Sequence, residues 1–129
     1  MAHRPVVSDT IPYADAADLA AVRAFVRARA LSLGLSDERV ELLLLAVNEL
    51  TTNTVQHTDG GGHVRVWADT EHLVCDVIDG GPVPVFGRSM PSADATRGRG
   101  LAIVERICDK VSAIPVPDGT MVSLRLRRR

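Results

Sequence analysis

The sequence predicts an α+β fold, a two-layer α/β sandwich whose mixed or antiparallel sheet is covered by helices on one face. Two observations lead there. Elements read from hydrophobic period run β, α, α, β, β, loop, α, β, β. Strands and helices therefore segregate, and the regular alternation of a doubly wound parallel sheet is absent. The second observation is the stretch Glu41 to His57, ELLLLAVNELTTNTVQH. At about 100° per residue it is a helix with Val40, Leu43, Leu44, Val47, Thr51 and Thr54 on one side. Leu42, Leu45 and Ala46 fall on the other side, so its middle is apolar all round and is expected to be covered on both faces.

The remaining elements follow in chain order. Val6 to Ile11 is a β-branched run closed by Pro12, an expected edge strand. Asp15 or Asp18 can start a helix in which Leu19, Val22, Val26, Ala30 and Leu33 recur at helical spacing, with Arg23, Arg27 and Arg29 off the stripe. Gly34 ends it. Ser36 is the N-cap of the next helix, and Asp37 and Glu38 suit its dipole. His63 to Ala68 alternates, with Val64 and Val66 one way and Trp67 the other. Leu73 to Ile78 is a denser apolar run, hence more central in its sheet. Asp69-Thr70-Glu71 joins the two as a hairpin. From Pro82 to Arg97 no period is visible, and a loop of that length in a compact domain reads as a functional lid. A helix is expected from Leu101 to about Lys110, then a hairpin of Val111 to Val116 and Met121 to Leu126 around Pro117-Asp118-Gly119.

Bulk properties narrow the function. The 129 residues fit one domain, residues 1–129, with a self-sufficient core. A hydrophobic share of 46% with 24% charged residues argues against disorder. The net charge of −1 gives no general reason to bind nucleic acid or acidic lipid, and 3% aromatics supplies no base-stacking platform. Arg125-Leu-Arg-Arg-Arg129 looks basic but reads as a frayed, solvated chain end. Cys75 and Cys108 lie in apolar runs, outside any CxxC, and read as core thiols. No signal peptide or transmembrane run is present, so the expected location is cytoplasmic.

Three features could carry chemistry. Glu49 and Asn53 stand side by side at i and i+4, where Asn offers a neutral oxygen to a hard cation such as Mg²⁺ and Glu can take a proton from a nucleophile. Asp79 ends an apolar strand before Gly80 and Gly81, placed to accept from an exocyclic amine such as adenine N6 while the glycines admit a flat base. Arg97-Gly98-Arg99-Gly100-Leu101 opens a helix, where free N–H groups and arginines suit phosphate. Alone, a solvated helix face, a turn and a loop end explain these as well. No GxxxxGK[ST] occurs and Lys110 is the only lysine, so a P-loop is excluded.

Together and in this order, the motifs resemble the Bergerat-fold (GHKL) ATPases, shared by gyrases and histidine kinases. More closely, the chain resembles the stand-alone bacterial anti-sigma-factor serine/threonine kinases. Glu49-Leu-Thr-Thr-Asn53-Thr-Val-Gln-His57 is similar to the N box, Asp79-Gly-Gly81 to the start of the G1 box, Gly98-Arg99-Gly100-Leu101 to the G2 box, and Gly119-Thr120 to the last threonine motif. The resemblance implies ATP and Mg²⁺ as cofactors. It makes Glu49 the general base on a partner's serine, and Asn53 the Mg²⁺ ligand. Asp79 would read adenine N6 and Gly81 would make room for the base. Arg97, Gly98, Arg99, Gly100 and Leu101 would meet the phosphates, and Thr120 would support the adenine site. His57 is a weaker candidate contact; His3, His63 and His72 read as surface residues. The implied partners are a sigma factor and a serine-bearing antagonist, with a homodimer as a further expectation and neither nucleic acid nor membrane. One position departs: the second G1 glycine is replaced by Val83, which bears on lid flexibility and nucleotide affinity. The alternative it favours is a nucleotide-binding interaction module without phosphoryl transfer. No second domain with a phosphoacceptor histidine is read, so a complete sensor histidine kinase is not expected.

Overall fold

The computed structural model describes residues 9–57, 61–80, 102–117 and 119–128, with only the backbone of His57. Strand β1 is Thr10–Tyr13, helix α1 is Leu19–Ser32 and helix α2 is Asp37–His57. Strands β2 (Gly62–Ala68) and β3 (His72–Asp79) follow, then a short helical turn at 102–107. Strands β4 (Lys110–Val116) and β5 (Gly119–Arg127) complete the described chain. The five strands form one sheet in the order β1-β2-β3-β5-β4, every neighbouring pair antiparallel. β3 is central, as its dense apolar pattern requires.

Local chemistry sets the helix ends. Asp15 caps a 3-10 turn at Ala16–Asp18, its carboxylate accepting from Ala17 N while Asp18 reaches back to the Asp15 N–H. Helix α1 then runs from Leu19, later than a start at Asp15 would give. Gly34 stops it at a φ of 94°, a left-handed conformation costly for any residue with a Cβ. The Ser36 hydroxyl accepts from Arg39 N at 3.3 Å and opens α2. Arg27 and Glu41 pair across the two helices, between exposed side chains.

Both helices lie on one face of the sheet. Val22, Val26, Val40, Leu43 and Val47 pack against Val64, Val66, Leu73, Cys75, Val77 and Leu124. The two thiols are buried among them. Burial pushes Cys75 well above the ordinary thiol range and Cys108 to about 12, so neither is a ready nucleophile.

Expectation and structure differ in four places. First, β1 passes through Pro12 and ends at Tyr13 instead of closing before the proline; residues 6–8 lie outside the described chain. Proline is tolerated because β1 is an edge strand. Second, α2 is not covered all round: Ala46 is buried, but Leu42 is 39% and Leu45 is 45% exposed among the described residues. Third, the last helix ends by 107 and Lys110 already starts β4. Fourth, the arginine-rich end is not frayed as far as Arg128. Arg125 and Arg127 belong to β5, and Arg128 donates to Leu33 O and Asp69 O, each at 2.9 Å. Those two bonds tie the end of β5 to α1 and to the β2–β3 turn.

The face away from the helices carries a polar cluster. Asp76, 1% exposed, points there from β3. Its Oδ2 accepts from Arg65 Nη2 at 2.8 Å, Arg65 Nε at 3.2 Å and Trp67 Nε1 at 2.9 Å. Arg125 lies 5.9 Å from the centre of the Trp67 ring. Asp76→Ala is expected to cost about 1–2 kcal/mol, because the indole N–H loses its acceptor while the half-exposed Arg65 can return to water. Urea unfolding, followed through this single tryptophan, checks it.

Candidate nucleotide site

The site is built around Thr54. Its position on the apolar stripe of α2 points it at the sheet, where a hydroxyl needs a partner. It is buried and donates to Asp79 Oδ2 at 3.0 Å, while its oxygen also lies 3.1 Å from Leu50 O, one turn back. The Thr54–Asp79 bond docks the last turns of α2 on the tip of β3. Asn53, the next residue along, and Glu49, one turn earlier at about 6 Å of rise, lie beside that contact. The acid–amide pair and the strand-tip aspartate are therefore on the same, helix-covered side of the sheet.

Register adds a row across four strands. Tyr13 pairs with Gly62, Gly62 with Asp79, and Asp79 with Thr120. All four belong to the helix-side set, with Val64, Val77 and Val122 forming the next row of that face. Glycine is enforced at Gly62: an added Cβ would sit 1.7 Å from Ile78 O. At Gly119 it would sit 1.8 Å from Asp79 O. The backbone on either side of Asp79 thus tolerates no side chain. Thr120 is buried, 1% exposed, directly opposite Asp79.

Two buried polar atoms of these elements have no hydrogen-bond partner among the described residues. One is Asn53 Nδ2. As assigned, this amide group has hydrogen-bonding capacity left over. Among the described residues no cluster of three His, Cys, Asp or Glu could hold a metal. The second is the Tyr13 hydroxyl, in a residue 4% exposed. It lies near enough to Thr54 and Asp79 to feel both, but bonds to neither with acceptable geometry. Leaving such a hydroxyl unpaired costs about 1–3 kcal/mol.

Burial pushes the Tyr13 phenol up to about 12; the Thr54 side chain opposes the rise and the Asp79 charge adds to it. Tyr13 is the only tyrosine. A spectroscopic pH titration of phenolate absorbance should therefore find its midpoint near 12, against the ordinary value of about 10. The raised value means that Tyr13 contributes stability in full below pH about 10, which is lost as pH rises toward about 12. A midpoint at the ordinary value would place the hydroxyl in solvent.

Glu49 is half-buried and makes no hydrogen bond or ion pair among the described residues. Its surroundings are more open than the apolar middle of the helix led one to expect. Gly81, Arg97, Gly98, Arg99, Gly100 and Leu101, together with Val83 and the loop before the last helix, lie outside the described residues, as does the His57 side chain. His63 is exposed and His72 half-buried, 3.9 Å from Asp69; His3 is outside the described chain. Sequence reasoning missed Thr54, Tyr13 and Gly62 as parts of this site. The available signal for Thr54 was a hydroxyl on an apolar stripe; for Tyr13 and Gly62 it was absent, since both enter through strand register.

A cavity of about 560 Å³ opens at the same end of the sheet but on the opposite face, lined by His63, Arg65, Ile78, Met121 and Val116. It shares Asp79 with the site above, yet neither Glu49, Asn53 nor Thr120 lines it. The Thr54–Asp79 bond and the Tyr13-to-Thr120 row lie on the other, helix-covered side of the sheet.

The family model for the histidine kinase-like ATPase domain matches residues 13–126. The match begins at Tyr13, the first residue of the cross-strand row, and contains every described residue of the site. No curated protein matches the chain closely.

Proposed function

The chain belongs to the histidine kinase-like ATPase domain family, and we propose that within it the chain is an ATP–Mg²⁺-dependent serine/threonine protein kinase acting as an anti-sigma factor in a partner-switching system. The single observation that supports the nucleotide site most is the Thr54–Asp79 bond, which brings Glu49, Asn53 and the base-reading carboxylate to one side of the sheet. Asp79 accepts from the exocyclic amine of the base. The Asn53 amide would hold the cation, and Mg²⁺ bound there would neutralise phosphate charge. Glu49, a turn away from Asn53, takes the proton from a serine hydroxyl presented by the partner. Such chemistry needs little covalent help from the protein; positioning and charge do most of it.

Arg97, Arg99 and the N–H groups from Gly98 to Leu101 would cradle the phosphates, replacing the lysine of a P-loop. The sigma factor and the serine-bearing antagonist are the partners of this reading. The test is a transfer assay with γ-labelled ATP, Mg²⁺ and small serine-bearing antagonist proteins, beside a pull-down against purified sigma factors. Label on an antagonist serine, together with a sigma factor released when unphosphorylated antagonist is added, supports the kinase. Tight ATP binding with no label on any antagonist would assign the chain to the non-catalytic module that Val83 favours.

A further inference from the structure

We propose that the Tyr13 hydroxyl is a second reader of the nucleobase, standing beside Asp79 and donating to a ring nitrogen next to the amine that Asp79 accepts. This rests on the nucleotide reading above and adds to it the residue that sets base selectivity. Tyr13 ends the edge strand on the helix-covered side, in the cross-strand row that contains Asp79 and Thr120. Gly62 stands between Tyr13 and Asp79, and it carries no side chain to separate them. The ring is buried, and among the described residues its hydroxyl has no hydrogen-bond partner of acceptable geometry. Thr54, the nearest hydroxyl, is engaged with Asp79 Oδ2 and Leu50 O.

A buried donor held beside a carboxylate acceptor is a two-point pattern. It matches a 6-aminopurine, whose exocyclic amine donates beside a ring nitrogen that accepts. A 6-oxopurine sets its oxygen, an acceptor, against Asp79 and breaks the pattern. Tyr13 is thus a binding residue for the base, with no part in phosphoryl transfer.

The test uses the full chain as wild type and Tyr13→Phe, titrated calorimetrically with ATP, inosine triphosphate, 1-deaza-ATP and 7-deaza-ATP. In the absence of nucleotide the variant should melt at the same temperature or higher, because an unsatisfied hydroxyl has been removed. Its ATP affinity should fall about 3- to 10-fold while inosine triphosphate changes little, so selectivity narrows. On wild type, one of the two deaza analogues should lose a similar factor, and Tyr13→Phe should then cause no further loss with that analogue. Equal ATP affinity in the two proteins overturns the inference. So do equal losses for ATP and inosine triphosphate, the signature of a merely structural role, and so does full affinity for both deaza analogues on wild type. The wild-type measurements stand even where the variant folds poorly. If wild type binds no nucleotide at all, the nucleotide reading itself fails first.

Discussion

Glu49→Gln should lower phosphoryl transfer to a serine-bearing antagonist by about 100- to 10,000-fold while ATP affinity stays within about threefold. The amide keeps the size and helix propensity of the carboxylate but cannot take the hydroxyl proton. Glu49 is half-buried on α2 and forms no ion pair among the described residues, so no structural bond is lost. The substitution also leaves Asn53 and the Thr54–Asp79 contact in place. A general base and a structural residue therefore differ in outcome. Loss of turnover with binding and melting temperature preserved identifies the base. Loss of all three together would mean that Glu49 supports the helix. Single-turnover transfer, measured beside calorimetry on the same preparation, separates them.

Asp79→Asn should weaken ATP binding about 10- to 100-fold, the scale of a hydrogen bond to a charged acceptor at about 1.5–3 kcal/mol. The asparagine oxygen can still accept from Thr54, so α2 should stay docked. What changes is the other end of the group: a neutral amide faces the amine where a carboxylate accepted it. Calorimetric titration of both proteins reads the difference. ATP affinity equal to wild type would remove Asp79 from the base site, whatever its place in the row.

Much of this architecture was legible because it is local. The period of Glu41–His57, the Ser36 cap, the Gly34 stop and the dense β3 run each follow from a few neighbouring residues, and each is where expected. Coverage is not local. Leu42 and Leu45 occupy the face that periodicity assigned them, but no described residue packs over that face to bury them. The arginine-rich end departs from the sequence pattern for the same reason. Its charge suggests solvent, whereas Arg128 finds the Leu33 and Asp69 carbonyls, far away in sequence. Within the site, the helix spacing put Glu49 beside Asn53, and the strand end marked Asp79. The link between the two motifs is Thr54, and the Tyr13–Gly62–Asp79–Thr120 row exists only once the strands are in register.

Mg²⁺-dependent nucleotide binding is the most direct measurement. Wild type, titrated calorimetrically with ATP, should bind in the absence of metal and bind more tightly with Mg²⁺, and Asn53→Ala should remove the metal-dependent increment while keeping the metal-free affinity. No heat of ATP binding under either condition, or binding that Mg²⁺ strengthens equally in wild type and Asn53→Ala, would contradict a nucleotide site assembled from α2 and the tip of β3.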